Sequence, residues 1–160
     1  TDVNNLQEAL QMIEDIGVLT KTQKKANYLI QKIKNNFEQL AITKSSLNTC
    51  YLIWQNPFMT VGGDTFINDM LQRSGFNNLF SNEKRYPEIS ISQLLIANCQ
   101  LILLSSEPYP FKQIHIDELQ LQLPHTKILL VDGEIFSWYG SRLLKATEYF
   151  SQLRASVAKL

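Results

Sequence analysis

The sequence predicts an α/β fold: a small, mostly parallel sheet with flanking helices, a Rossmann-like lobe, preceded by a long helix. Three observations lead there. Three compact apolar runs, Tyr51 to Trp54, Leu101 to Leu104 and Ile128 to Val131, have the length and density of strands buried on both faces. Helical periodicities separate these runs, and strands alternating with helices read as βαβ units. Ahead of them all, the first forty residues carry helical stripes and no strand-like run.

In chain order, Leu6, Leu10 and Ile13 recur at helical spacing, Asn5 with Glu8 resembles a capping box, and Gly17 is expected to end this first helix. A second box, Thr20 with Gln23, is expected to open a longer helix with Ala26, Leu29, Ile30, Ile33, Phe37 and Leu40 on one face. Such a helix of about 20 residues spans roughly 30 Å. The rhythm changes after Lys44-Ser45-Ser46, which divides the chain into a helical segment, 1–44, and an α/β lobe, 45–160. Inside the lobe, Phe66, Ile67, Met70 and Leu71 read as a helix before Gly75. Ile91, Leu94 and Leu95 form another behind the box Ser90 with Gln93. In 114–123, Leu119, Leu121 and Leu123 alternate like a strand, but its place between two strands asks for a crossover, and it is read as helix. Leu143, Ala146, Thr147, Phe150, Leu153 and Val157 make a terminal amphipathic helix. A sheet of three or four strands offers little for the long helix to pack against, so the sequence reads as the second part of something larger.

Composition narrows the function classes. The 160 residues are 44% apolar and 19% charged, which suits one domain or a lobe and excludes disordered and low-complexity chains. Fifteen basic residues balance fifteen acidic ones with no basic stretch, so nucleic acid has no electrostatic support as a partner. The apolar runs fall far short of the roughly 20 residues of a membrane-spanning helix. Thr1 opens without a signal-like pattern, so any targeting segment is expected to have been removed or to lie outside this sequence. Cys50, Cys99, His115 and His125 are too few for a disulfide framework or a zinc site, and both histidines read as structural. Each cysteine stands near the start of a strand, which leaves a bonded pair and two free thiols both open.

No nucleophile, base and orienting group can be assembled, so no catalytic residue is assigned, nor an intrinsic cofactor or metal. Gly62-Gly63-Asp64 lacks the Lys-Ser/Thr of a phosphate loop and the third glycine of a dinucleotide fingerprint, and reads as a turn before a helix. Asp132-Gly133-Glu134 follows the third strand at the carboxyl end, where open α/β sheets hold ligands, although Asp-Gly also makes ordinary turns. Phe136, Trp138 and Tyr139 crowd one loop there, and Tyr86 stands before Pro87 in another. Such rings suit a binding surface for a bulky ligand, or they cap the core.

Five segments, in this order, carry a resemblance: Leu10 to Ala26 with Ile16-Gly17; Tyr51 to Trp54 leading into Gly62-Gly63-Asp64-Thr65; Leu71 to Gly75-Phe-Asn-Asn78; Tyr86-Pro87-Glu88-Ile89-Ser90; and Val131-Asp132-Gly133 running on to Trp138-Tyr-Gly-Ser-Arg142. Together they resemble the helical-backbone (class III) periplasmic substrate-binding proteins of ABC importers, the group that takes cobalamin, ferric siderophores and haem. The resemblance covers essentially the whole chain and implies a backbone helix followed by the carboxyl-terminal ligand-binding lobe, with half of an interlobe site. It further implies ligand contacts at Tyr86, Trp138 and Tyr139, with Phe136 and Arg142 behind them. Arg142 is equally compatible with an ordinary surface pair. The family's lobe carries a glutamate two residues after the serine of the Pro-x-Val/Ile-Ser motif, where it pairs with permease arginines. Here that position is Ser92, and Glu88 or Glu83 is the available substitute.

The implied function is that of a non-enzymatic solute-binding component, capturing a corrinoid (cobalamin foremost) or an iron complex and delivering it to a membrane permease. The implied location is periplasmic or otherwise extracytoplasmic, at the membrane only through that permease. The rivals are a small nucleotide- or metal-dependent α/β enzyme domain using Asp132-Gly133-Glu134 and Gly62-Gly63, and a protein-interaction module derived from such a lobe.

Overall fold

A computed structural model describes residues 2–40 and 47–159. Helix α1 (Leu6–Leu19) starts as expected: the Asn5 side chain accepts the Glu8 N–H at 2.9 Å, and the Glu8 carboxylate accepts the Asn4 N–H at 2.7 Å. Gly17, expected to stop this helix, lies inside it. Its role is close approach, because a Cβ there would stand 2.5 Å from the Ala26 Cβ of the next helix. Since α1 runs on, Thr20 becomes its C-cap, and the Thr20–Gln23 box does not form. The Thr20 hydroxyl donates to the Ile16 carbonyl at 2.7 Å instead, and α2 (Gln23–Gln39) starts behind Thr22 without a side-chain cap. The predicted stripe holds: Ala26, Ile30, Ile33 and Leu40 are buried, with Leu29 and Phe37 half-buried.

The lobe continues with β1 (Asn48–Leu52), β2 (Phe58–Met59), α3 (Phe66–Arg73), β3 (Asn77–Asn78), β4 (Glu88–Ile89), α4 (Ile91–Ile96) and β5 (Leu101–Ser105). It closes with α5 (Gln113–Gln122), β6 (Lys127–Val131), α6 (Gly133–Ser137) and α7 (Leu143–Lys159). The boundary expected between 44 and 45, and the Lys44-Ser45-Ser46 signal itself, lie outside the described residues. Strands β3, β1, β5 and β6 form one sheet in that order, parallel throughout, while β2 and β4 pair antiparallel beside it. The ambiguous segment is helical, and the full Ser90–Gln93 capping box is present. His115 is structural: its Nδ1 accepts the Lys112 N–H at 2.8 Å, at the start of α5.

Alternation along the strands divides the core in two. Tyr51, Leu101, Leu103 and Val131 face α1, α2, α3, α6 and α7, whereas Cys50, Leu52, Ile102, Leu104 and Ile128 face α4 and α5. The long helix finds the partners that the sheet does not offer: it packs on α1 and α7, with Phe37 edge-on to Phe150 at 6.5 Å. Two expectations shift. The strand containing Tyr51 ends at Leu52, so Trp54 leaves the sheet and pairs with Met59. The segment expected as an aromatic loop opens with the five-residue α6, capped by the Asp132 carboxylate on the Glu134 N–H at 3.1 Å.

Candidate functional site

The sheet order places a topological switch between β1 and β5: the chain leaves β1 toward β3 on one side and returns to β5 on the other. In open α/β sheets the crevice beyond the carboxyl ends of two such strands is the ligand site. Here a cleft of about 450 Å³ opens at that place. Ile53 and Trp54 line it after β1, Glu107 and Pro108 after β5, Ser137 from the end of α6, and Met59, Ile67 and Tyr86 from the flanking elements. A notch of about 140 Å³ shares Ile67, Tyr86 and Ser137 and adds Asp2, Arg85 and Tyr139.

Three large rings stay in solvent here, with Trp54 40%, Tyr86 45% and Trp138 54% exposed. Trp138 is tied to the rim: its indole N–H donates to Glu107 Oε1 at 2.8 Å, and the Ser137 hydroxyl donates to the same oxygen at 2.7 Å. Trp54 stands edge-on to Tyr109 at 5.5 Å, and Tyr139 edge-on to Phe66 at 5.4 Å. Of the residues singled out in the sequence, Tyr86, Trp138 and Tyr139 therefore gather at one end of the sheet. Phe136 does not join them. It is fully buried, 5.1 Å from both the Tyr51 and Phe150 rings, because α6 turns it into the core.

Arg142 is engaged within the fold, its Nη2 bonded to Asp132 at 3.2 Å and also to Glu134. The Asp132 N–H in turn donates to the Tyr149 hydroxyl at 2.8 Å, whose phenol is pushed up by burial. Asp132-Gly133-Glu134 is thus a capped and ion-paired helix start, and Gly133 donates its N–H to Ser106 at 2.9 Å. Among the described residues no group of three His, Cys, Asp or Glu is placed to hold a metal ion. Gly62 and Gly63 offer no phosphate cradle, since their N–H groups go to the Arg85 and Glu83 carbonyls at 2.7 and 2.9 Å. That loop is clamped from beneath as well. Thr65 donates to the Gly62 carbonyl, Asn68 to that of Gly63, and the buried Asn78 to those of Val61 and the Asn68 side chain. The features that motivated the nucleotide- or metal-dependent reading are therefore structural.

Cys50 and Cys99 are free and buried, and burial pushes both thiols up, Cys99 to about 11. Glu88, on β4, and Ser92, in the first turn of α4, are both exposed. Sequence reading missed Trp54, because an apolar run continuous with a strand assigns it to the core, and it missed Glu107 and Pro108. The available signal was the polar Ser105-Ser106-Glu107-Pro108 tetrapeptide closing the second apolar run, which marks a strand-end loop at the ligand edge.

No family model and no curated protein sequence matches the chain. Its fold is that of the class III periplasmic binding proteins, in the part built from the helix pair and one α/β lobe. A possible iron-binding, periplasmic solute-binding protein from Staphylococcus epidermidis superimposes with a TM-score of 0.78 at 22% identity, over 98% of this chain and 64% of that one. The periplasmic haem-binding protein HutB of Vibrio cholerae gives 0.75 at 16% identity, over 92% of this chain and 63% of its own. The periplasmic vitamin B12-binding protein BtuF of Vibrio cholerae gives 0.67 at 17%, over 99% and 65%. The chain thus spans slightly less than two thirds of the length of these proteins. No helix among the described residues is long and apolar enough to cross a membrane.

Proposed function

We propose that this chain is the helical segment, 1–44, and ligand-binding lobe, 45–160, of a solute-binding component that delivers a corrinoid or iron complex to an ABC importer. The observation that carries this reading is the cleft at the switch between β1 and β5, edged by three solvent-exposed rings on a fold shared with binding proteins for such ligands. Trp54, Tyr86 and Trp138 present ring faces to the ligand, and Tyr139 borders the adjoining notch. Phe136 backs the cleft from the core, and Arg142 holds α6 in place. Binding rests on stacking and a few polar groups, without covalent chemistry. Capture takes place outside the cytoplasm, and docking to the permease uses the exposed surface of Glu88 and Ser92. A charge there serves orientation and encounter rate more than affinity.

The test is the thermal stability of the intact protein with cyanocobalamin, haem and a ferric hydroxamate. A ligand at 100 times its dissociation constant adds about 2.7 kcal/mol, a rise of about 5 °C or more in Tm. A saturable rise with one of them, cut to about half or less in the Tyr86→Ala and Trp138→Ala variants, is the expected result. No rise with any of the three, or a rise only with a nucleotide or divalent metal, would overturn the reading.

A further inference from the structure

The charges around the cleft are one-sided. Lining the cleft and its notch are two carboxylates, Glu107 and Asp2, and one guanidinium, Arg85. Arg85 is not free to meet an anion: its Nη2 is bonded to Asp2 at 2.9 Å, its Nε lies 3.9 Å from Asp64, and its own N–H donates to Asp64 at 2.5 Å. The hydrogen bond from Arg85 holds the Asp2 carboxyl below its ordinary value, so this pair stays ionised. The other arginine near these strand ends, Arg142, is likewise bonded to two carboxylates. Lys84, beside Arg85, lines neither cavity. The chain as a whole is neutral, so this acidic bias belongs to the site rather than to the molecule.

Among the described residues, Glu107 is the one charged residue lining the larger cleft. One oxygen, Oε1, is taken by Ser137 and Trp138, which fix the carboxylate against the rim. A carboxylate has capacity for about four hydrogen bonds, so Oε2 retains acceptor capacity next to the exposed rings. We infer that Glu107 is the specificity-determining residue of the cleft, selecting ring-bearing or macrocyclic ligands that present a cationic group and discriminating against anionic ones. This inference rests on the solute-binding reading above. A charge-assisted bond to Oε2 adds affinity for a cation, and the same fixed charge repels a ligand carboxylate in a partly desolvated crevice.

Of the two tryptophans of the chain, Trp54 lines the cleft and Trp138 is hydrogen-bonded to the lining residue Glu107, so quenching of intrinsic fluorescence reads its occupancy. Three probes are titrated into the intact protein: ferrioxamine B, whose amine is protonated at neutral pH; its N-acetylated, uncharged form; and haem, with two anionic propionates. Glu107→Gln keeps an acceptor oxygen for Ser137 and Trp138 and removes only the charge. The expected result is that wild type prefers the cationic probe to its acetylated form by about 10-fold and binds haem weakest. In the variant the preference collapses, haem binding strengthens, and the acetylated probe is unaffected. Equal affinity for the two hydroxamates, or a preference that survives Glu107→Gln, overturns the role of Glu107 and leaves the solute-binding reading standing. Failure of all three probes and of cyanocobalamin to bind overturns both.

Discussion

Two strand-end regions of the lobe, the Gly62-Gly63 loop that the sequence reads as a turn and the aromatic rim around Trp138, use their polar groups in opposite ways. The loop of Gly62 and Gly63 spends every polar group inside the protein: both N–H groups reach the strap of residues 83–85, and Thr65, Asn68 and Asn78 hold its carbonyls. The rim of Trp54, Glu107 and Trp138 keeps its rings in solvent and spends one carboxylate oxygen on holding them in place. Glycines in a strand-end loop indicate that something approaches closely, but that something can be the protein's own backbone. The proposed binding edge is marked instead by polar anchors that leave apolar area uncovered.

The contrast is sharpened by variants that should separate stability from binding. The largest loss of stability is expected at Phe136, the ring that the sequence grouped with Trp138: Phe136→Ala removes a fully buried side chain and should cost about 3–5 kcal/mol in denaturant unfolding. Gly63→Ala comes next. Its Cβ would collide with the Ser81 carbonyl oxygen, and a loss of about 3 kcal/mol is expected by the same measurement, with any bound ligand still seated on the opposite rim.

Alkaline pH probes the buried interior. The Cys50, Cys99, Tyr51 and Tyr149 groups all titrate higher in the folded chain than in water, chiefly through desolvation. For a group whose folded pKa is raised, the stabilising contribution is complete below the unfolded pKa and disappears as pH climbs toward the folded one. Tm should therefore hold up to about pH 9 and fall between there and pH 11, by on the order of 5 °C. Across the same range a thiol reagent should label neither cysteine until the protein unfolds. The smallest stability effect is expected at the rim itself. Trp138→Ala should leave denaturant stability within about 1 kcal/mol of wild type while weakening ligand about 10-fold or more, as read by fluorescence of the remaining Trp54.

Much of the fold was legible because it depends on local periodicity. The apolar runs place three of the four strands of the main sheet, and the Asn5 and Ser90 caps place two helix starts, since each is decided within four or five residues. What sequence missed depends on distant partners. Gly17 reads as a stop, but Ala26 across the helix pair makes it a contact. Two-residue strands such as β3 lack a period of their own and exist because β1 offers them a ladder. At the site, Tyr86, Trp138 and Tyr139 stood out as rings in loops, whereas Trp54 was hidden at the end of an apolar run. Glu107 gains its importance only from the approach of Ser137 and Trp138, some thirty residues later in the chain.

The central claim is that the crevice between β1 and β5 is a ligand site built from exposed rings. Its most direct test is calorimetric titration of the intact protein, wild type and the Trp54→Ala/Trp138→Ala double variant, with whichever of cyanocobalamin, haem or ferric hydroxamate raises its Tm. One saturable site in wild type, weakened about 100-fold in a double variant of near-native stability, is the predicted result. Unchanged affinity in the double variant would contradict the account.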